Sequence, residues 1–207
     1  MRAFSFLHPL LLSAVALAVV PAVLATKASP TPAFSPAEAG TYAIDNVHST
    51  VLFRAKHMDV SYSYGRFNEL SGQFVLSPEE GKSSLQIKVV ANSVDTNSKK
   101  RDDHLRSPDF FNVKQFPEIR FESTKFEKKD DTTYAVTGKL SFHGETKEVT
   151  VDMDFTGARD GGPQMGFRGG LETQLEIKRR DYGMDTYPDD MISNDIRLTI
   201  ALEGVRK

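Results

Sequence analysis

Residues 149–155, VTVDMDF, alternate strictly between apolar and polar side chains. Successive side chains of a β-strand point to opposite faces, so this stretch predicts a strand with one buried face and one solvated face. The same period of two recurs in both directions along the chain. It is present at 48–56, 85–91, 119–122, 136–142, 171–177 and 196–202, and a further strand is predicted at 67–76. The sequence therefore predicts about eight strands.

Short turn signals separate these strands. They lie at 77–81, 128–131, 143–146 and 157–162. Links of this length join neighbouring strands as antiparallel hairpins. Because each strand has one apolar face, the sheet must cover that face, either by closing into a barrel or by packing as a two-sheet sandwich. The alternation leaves both all-β architectures open, although the isolated glycines Gly72, Gly138 and Gly170 suit the bends of a tightly closed barrel.

One segment, residues 95–115, breaks the alternation. Residues 99–105 predict a short polar helix that ends before Ser107-Pro108, and Phe110 and Phe111 follow closely. A polar helix joined to an aromatic plug could cap one end of a barrel. The alternative is a surface crossover whose aromatic side chains only fill the core.

The first residues predict export. A basic start at Arg2, an apolar run at 7–24 and the small or β-branched residues Val23 and Ala25 at the cleavage positions form the three-part pattern of a signal peptide. The alternative, a transmembrane anchor, is weaker because Pro21 interrupts the apolar run. We therefore expect a signal peptide at 1–25 that is cleaved, a flexible tether at 26–40 and one β-domain at 41–207.

Composition excludes several classes of function. The chain has 26 basic and 28 acidic residues, mixed throughout, and this argues against a nucleic-acid partner, which requires clustered Lys and Arg. It has no cysteine, so disulfides, thiolate metal sites and cysteine nucleophiles are excluded. A domain of this size must be stabilised by a sizeable apolar core.

No motif of a common catalytic site is present. The sequence contains no phosphate-binding loop, no His-Glu-x-x-His and no Gly-x-Ser-x-Gly. His48 and His57 are nine residues apart on one predicted strand, so they lie on opposite faces and should not share a metal. His104 follows Asp102-Asp103, which predicts either a carboxylate–imidazole pair or a solvated helix face. We expect no catalytic residues and no metal.

What the sequence offers instead is apolar volume. The chain has 14 Phe and no Trp, and an eight-stranded barrel either fills its interior with such side chains or holds a ligand among them. The inward positions of the predicted strands are the candidate ligand-binding residues. They are Val51, Phe53, Phe74, Ile87, Val89, Phe121, Leu140, Phe142, Val151, Met153, Phe155, Leu171, Leu175, Leu198 and Ile200.

An ordered set of motifs resembles the YceI-like polyisoprenoid-binding family. The motifs are YAIDNVHS (42–49), VLF (51–53), GRF (65–67), SVDT (93–96), RDDHLRSPDFF (101–111), FPEIRF (116–121), GKLSFHG (138–144) and RDYG (180–183). The resemblance as a whole covers essentially residues 42–205. The specificity of the match comes from the order of the segments rather than from any one of them.

The resemblance implies a lipocalin-like, eight-stranded antiparallel β-barrel with a short helical crossover. It also implies a tunnel that holds a long isoprenoid chain, and a periplasmic location. We accordingly expect a carrier for a polyisoprenoid or similar amphiphilic lipid, with a bound isoprenoid-type lipid and no cofactor. Arg101, His104 and Arg106 border the aromatic segment and are the candidate contacts for a polar head group.

Two other functions remain as alternatives. One is a stress-related scavenger that binds diverse apolar compounds. The other is an enzyme acting on an isoprenoid lipid, with Asp103 and His104 as acid–base partners, and it requires that both side chains line the cavity. The sequence leaves transient membrane contact and a homodimer open.

Overall fold

The computed structural model of the chain describes residue 35 and residues 37–207. Within this range the chain forms eleven strands and one α-helix. The elements are β1 (Gly40–Ile44), β2 (Thr50–His57), β3 (Ser61–Phe67), β4 (Leu70–Leu76), β5 (Ser84–Val90), β6 (Val94–Asp95), α1 (Lys99–Leu105), β7 (Glu118–Lys128), β8 (Thr133–Phe142), β9 (Glu145–Asp160), β10 (Phe167–Lys178) and β11 (Ile192–Arg206). Two short 3-10 helices, Ala91–Ser93 and Arg179–Tyr182, complete the secondary structure of this range.

The strands close into an eight-stranded, up-and-down antiparallel barrel. Three pairs of short strands, β1 with β2, β3 with β4 and β5 with β6, each form one long bent strand. β1 and β2 both pair with β11. β4 and β3 pair with β1 and β2 on one side and with β5 and β6 on the other. The last strand, β11, closes the barrel by pairing with β1 at Val205↔Ala43 and with β2 at Leu198↔Phe53. The predicted barrel is confirmed. The sandwich is excluded, because a single sheet closes on itself through the pairing of its first and last strands.

Several strands are longer than predicted or are interrupted, and two boundaries matter for the barrel wall. The turn predicted at 157–162 begins too early, because β9 continues to Asp160 and pairs with β10 up to Phe167. The strand predicted at 67–76 is interrupted after Phe67 and resumes at Leu70, and the two halves pair with β6 and β1 respectively. Short breaks of this kind let a long strand follow the curvature of a barrel wall.

Glycine permits close approach where the wall curves. A Cβ atom on Gly138 would lie 2.5 Å from the Phe121 ring, so only glycine lets that ring cover the neighbouring strand. Gly72 has a φ of 143°, and a Cβ atom there would lie 2.0 Å from the carbonyl oxygen of Gln86. A register shift falls between Gly170 and Leu171. These positions agree with the bends predicted from the isolated glycines.

The end of the barrel that carries β1 is filled by side chains, and we call it the closed end. Tyr42 and Phe74 are fully buried there and their rings stack at 4.9 Å between centroids. Leu171 and Leu202 pack in the same cluster, with 2% and 3% of their surface exposed. Well-packed apolar contacts of this kind are the main source of folding free energy in the barrel.

An ionic cluster lies beside the closed end. Arg168 Nη1 donates a hydrogen bond to Asp45 Oδ2 at 2.8 Å and a second one to Glu203, while His48 Nδ1 lies 2.9 Å from Asp45 Oδ2. Ligand atoms of Asp45, His48 and Glu203 lie within 4.8 Å of one another. The Arg168 guanidinium already provides the positive charge that the two carboxylates require. We therefore assign this cluster a structural role and not a metal-binding one.

The Asp45–Arg168 pair predicts an acid-dependent loss of stability. The hydrogen bond from Arg168 holds the pKa of Asp45 well below its usual range, and His48 acts in the same direction. Asp45→Asn should lower the free energy of unfolding by about 1 kcal/mol near neutral pH, since the pair is partly open to solvent. An Asp with a depressed folded pKa contributes stability above its unfolded pKa, so the difference should shrink as the pH falls below about 4.

Urea titrations of the two proteins at several pH values would measure this difference. Asp131→Asn is the matched control, because the Asp131 side chain is 95% exposed. A gap between Asp45→Asn and the unchanged protein that stays constant down to acid pH would show that the effect comes from packing and not from charge.

The predicted signal peptide (1–25) lies outside the described residues, as does all of the predicted tether (26–40) except residues 35 and 37–40. The described end of the tether contacts the barrel. The Tyr42 hydroxyl donates to the carbonyl oxygen of Glu38 at 2.6 Å, and Arg206 Nη1 donates to that of Ala37 at 2.7 Å. In the range that the structure describes, no helix has the length and apolar character needed to cross a membrane.

Candidate functional site

The barrel interior holds an apolar cavity at the end opposite Tyr42, which we call the capped end. The cavity has about 1000 Å³ of empty space, including the part that is open to solvent. All of its lining residues except Arg120 and Arg179 are apolar. They are Val51, Phe53, Ala55, Phe67, Ile87, Val89, Leu105, Phe110, Phe111, Ile119, Arg120, Phe121, Leu140, Phe142, Ile177, Arg179, Met184, Ile192, Ile196, Leu198 and Ile200.

A second, smaller cavity of about 410 Å³ adjoins the first on the side of the closed end. The two cavities share five wall residues, which are Ile87, Phe121, Leu140, Leu198 and Ile200. The smaller one is also lined by Leu85, Val149, Val151, Met153, Thr173 and Leu175. Along β11 the wall runs from Ile192 to Ile200, at most roughly 25 Å at the rise of an extended strand. The two adjoining cavities therefore extend along residues 192–200 of β11, a strand that is tilted relative to the barrel axis.

Partial exposure of inward side chains shows that the interior is not filled. Phe53, Phe121, Leu198 and Ile200 all point inward, yet each keeps part of its surface accessible. Leu202, on the same face of β11 at the closed end, is buried. A side-chain-filled barrel would bury all five positions equally. An apolar surface of this extent inside a barrel is typical of sites for apolar ligands.

The segment after β6 forms the first cap. Phe111 lies 5.4 Å from Phe67, 5.8 Å from Phe142 and 6.2 Å from Phe53, measured between ring centroids. Three side chains of this first cap line the large cavity, namely Leu105, Phe110 and Phe111. Of the two interpretations of residues 95–115, the cap is therefore correct, and the predicted helix at Lys99–Leu105 is confirmed as α1.

A buried carboxylate holds α1 in place. Asp102 is 8% exposed and accepts hydrogen bonds from the Thr96 backbone N–H at 2.8 Å and from the Thr96 hydroxyl at 2.5 Å. Arg101 donates to the same threonine through Nε at 2.7 Å and through Nη2 to its carbonyl oxygen at 2.6 Å. The helix is only seven residues long, so it needs these local side-chain bonds to Thr96 in addition to its own propensity.

The loop between β10 and β11 forms the second cap, and Arg179 organises it. The Arg179 side chain is only 4% exposed. It donates to the carbonyl oxygens of Met184, Tyr187 (2.6 Å), Ile192 (2.9 Å) and Ser193 (3.1 Å), and to Asp189 Oδ1 at 3.1 Å. Burial lowers the pKa of the Arg179 guanidinium, and this cost is offset by the five acceptors around it.

The two caps meet at one contact, which we call the latch. The Phe110 and Tyr187 rings are stacked at 5.2 Å, and His104 packs edge-on against both. His104 Nε2 lies 3.1 Å from the Tyr187 hydroxyl and 3.1 Å from Asp109 Oδ2. Because Phe110 also lines the large cavity, the latch lies between the cavity and solvent.

Twelve of the fifteen side chains predicted to line the ligand site do line a cavity. In the large cavity these are Val51, Phe53, Ile87, Val89, Phe121, Leu140, Phe142, Leu198 and Ile200, and in the smaller one Val151, Met153 and Leu175. Phe74, Leu171 and Phe155 line neither. Phe74 and Leu171 lie in the filled closed end, and Phe155 packs against the same core cluster. Alternation identifies the inward face but not the level along the barrel axis.

The three predicted head-group residues, Arg101, His104 and Arg106, line neither cavity, and their contact with a head group at the cavity mouth stays a prediction. Arg106 is used in the same way as Arg101, because it donates to the carbonyl oxygens of Asn92 (2.9 Å) and Val94 (2.7 Å). His104 belongs to the latch. Sequence reasoning missed Arg179, whose only signal was a basic residue at the end of an apolar strand.

The acid–base pair of the enzyme alternative is not formed. Asp103 pairs with Lys99 at 2.6 Å and with Arg106 at 3.3 Å, and its side chain is 53% exposed. His104 contacts Asp109 instead, and neither Asp103 nor His104 lines a cavity. The geometric requirement of that alternative therefore fails.

Comparison with known sequences gives a family. Residues 42–204 match the model of the YceI-like domain. A UPF0312 protein of Pseudomonas aeruginosa strain LESB58 is 40% identical over 177 residues, which cover 83% of this chain and 90% of that protein. A UPF0312 protein of Yersinia enterocolitica is 39% identical over 176 residues, which cover 82% of this chain and 88% of that protein.

Solved structures agree with this assignment. The Campylobacter jejuni YceI protein has a TM-score of 0.66 at 28% identity and covers 73% of this chain and 90% of its own. Two more distant structures share the fold. Burkholderia cenocepacia BcnA has a TM-score of 0.71 at 22% identity (77% and 98% covered), and a Saccharophagus degradans domain has one of 0.64 at 17% identity (80% and 98% covered). The barrel, its capped cavity and these matches place the chain in the YceI-like family.

Proposed function

We propose that this protein is a periplasmic carrier that binds a polyisoprenoid or similar long-chain amphiphilic lipid in the barrel interior. The observation that carries the proposal is the pair of adjoining, nearly wholly apolar cavities, which line β11 over a stretch of at most roughly 25 Å. An elongated apolar space fits a long hydrocarbon chain better than a compact polar metabolite.

Burial of such a chain supplies enough free energy for tight binding. Each buried methylene contributes about 0.8 kcal/mol, so one five-carbon isoprene unit contributes roughly 3–4 kcal/mol before costs. Micromolar affinity requires about 8 kcal/mol, so a few units are sufficient even after the chain is ordered. The Saccharophagus degradans neighbour is a polyisoprenoid binding domain, which supports the same class of ligand here. The signal-peptide pattern at 1–25 supports export to the periplasm.

Extraction of the purified protein with organic solvent, followed by mass spectrometry, tests the proposal. We expect a long-chain lipid in stoichiometric amount. Protein stripped of lipid should rebind a polyprenol added from detergent, and affinity should rise with the number of isoprene units until the cavity is full. Protein that retains no lipid and binds no polyprenol would contradict the proposal. Equal affinity for short, long and branched apolar compounds would favour the scavenger function instead.

Opening of the latch is expected to limit ligand exchange. Tyr187→Ala removes both the stacking on Phe110 and the hydrogen bond to His104, so release of a fluorescent polyprenol analogue should become about tenfold faster. Tyr187→Phe keeps the stacking and loses only the hydroxyl, so its release rate should change less. Stopped-flow dilution into empty vesicles measures both rates. Equal release rates in all three proteins would contradict a gating role for the latch.

A further inference from the structure

The hairpin formed by β2 and β3 exposes an apolar surface beside the cavity. Its exposed apolar side chains, which we call the hairpin patch, are Leu52, Met58, Val60, Tyr62 and Tyr64. Val60 is 85% exposed at the hairpin tip, and Tyr62 and Tyr64 are half exposed on the outer face of β3. These are five of the eight large exposed apolar side chains of the described range, gathered on one hairpin. A concentration of this kind indicates an interaction surface.

The outer face of the hairpin carries a small excess of basic residues, whereas the protein as a whole is acidic. Residues 50–67 contain Arg54, Lys56 and Arg66. The acids beside them are Asp59, which pairs with Lys56 at 2.9 Å, and Asp95 of β6, which lies opposite Arg66. Arg54 lies 4.2 Å above the Tyr62 ring. Basic side chains interleaved with tyrosine and aliphatic side chains match an anionic lipid surface, where the charges meet phosphates and the apolar groups enter the interface.

The hairpin patch lies on the reverse side of the cavity wall. Val51, Phe53 and Ala55 of β2 line the large cavity, while Leu52 and Arg54, between them, face outward. At the tip, the Met58 backbone N–H donates to the carbonyl oxygen of Met191 at 3.0 Å, and Met191 itself is 40% exposed. Its neighbour Ile192 lines the cavity. A surface that held this tip would therefore lie next to the second cap.

We propose that the hairpin patch docks the protein on anionic phospholipid membranes, with Met58 and Val60 inserted, so that lipid passes between the bilayer and the cavity. This inference rests on the proposed carrier function for its purpose, but the docking is a separate physical property. The proposed partner of the hairpin patch is a bilayer surface with anionic head groups. The alternative partner is a second copy of this chain.

A dye placed at the tip tests the docking directly. The chain has no cysteine, so Val60→Cys offers one site for a thiol-reactive, environment-sensitive dye. Val47→Cys is the matched control, because Val47 is 83% exposed on the bend between β1 and β2, roughly 25 Å from the tip along β2. With vesicles of equal parts phosphatidylcholine and phosphatidylglycerol, the emission at position 60 should shift to shorter wavelength and that at position 47 should not.

The charge requirement is tested in the Val60→Cys background. Arg54→Gln combined with Arg66→Gln should reduce vesicle affinity about tenfold, and vesicles of phosphatidylcholine alone should give little shift. All these variants contain the apolar stretch at 7–24. Membrane binding through that stretch alone would therefore not produce a dye shift at position 60 that is absent at position 47. Equal shifts at the two positions, no shift at position 60, or affinity unchanged by the double substitution would overturn the proposal. A shift that appears without vesicles as protein concentration rises would assign the patch to a second copy instead.

These outcomes are distinguishable from failure of the carrier function. The vesicles contain no isoprenoid, so docking is measured without the ligand. Protein that retains lipid but fails to dock would overturn this inference alone, and protein that docks but never binds a polyprenol would overturn the carrier function alone.

Discussion

Replacing Arg179 with methionine is expected to destabilise the protein by about 3–5 kcal/mol, because several carbonyl groups lose a donor at roughly 1–3 kcal/mol for each one left buried without a partner. The substitution keeps much of the side-chain volume but leaves the carbonyl oxygens of Met184, Tyr187, Ile192 and Ser193 without this donor. Buried carbonyl groups that lose their partner carry a desolvation cost. Urea denaturation followed by far-ultraviolet circular dichroism measures the loss.

The neighbouring arginine provides the control. Arg180 also contacts Asp189, at 2.7 Å, but its side chain is 38% exposed. Arg180→Met should therefore cost less than about 1 kcal/mol. Arg179→Lys should not restore stability, because an ammonium group cannot reach five acceptors in the planar arrangement that the guanidinium provides. Equal losses at the two positions would show that the second cap does not depend on the buried charge.

Alternation predicted the strands that carry several apolar residues on one face, and it missed β1, β6 and nearly all of β3. β9 was predicted because Val149, Val151 and Met153 alternate with polar residues. β3 was missed because its inward positions are Ser63 and Gly65, while Tyr62 and Tyr64 point outward. The Phe53 ring occupies the space over Gly65, where a Cβ atom would lie 2.2 Å away. The fit between a glycine and an aromatic ring depends on two neighbouring strands. The periodicity of one strand therefore cannot reveal it.

The sequence predicted which side chains face the barrel interior. It did not predict how far along the barrel each one lies, or which polar groups the arginines contact. Phe74 and Leu198 have the same alternation, yet one fills the closed end and the other lines both cavities. Arg101 and Arg106 were expected to meet a ligand because they flank aromatic residues, whereas they hold backbone carbonyl groups of their own cap. The function of an arginine depends on which acceptors the fold brings to it. The carbonyl acceptors of all three arginines lie 5 to 14 residues away in sequence, too far for a local pattern to reveal them.

A charge on the cavity wall should abolish lipid binding without unfolding the barrel. Leu198 lines both cavities and is only partly buried, so the carboxylate of Leu198→Glu can remain hydrated while the cavity is empty. A lipid chain in the cavity would strip that water from a charge without a partner. The cost of about 3 kcal/mol or more corresponds to at least a hundredfold loss of polyprenol affinity.

Thr199→Glu is the matched control, because Thr199 pairs with Leu52 on the outer face of the same strand. It should leave polyprenol affinity within about twofold of the unchanged protein, since surface substitutions away from a site are close to neutral. Leu198→Trp separates volume from charge. It narrows the cavity without adding a carboxylate, so it should reduce affinity for long polyprenols more than for short ones. If both glutamate variants fold and bind polyprenol equally well, the lipid does not occupy this interior, and binding would have to be sought on the outside of the barrel.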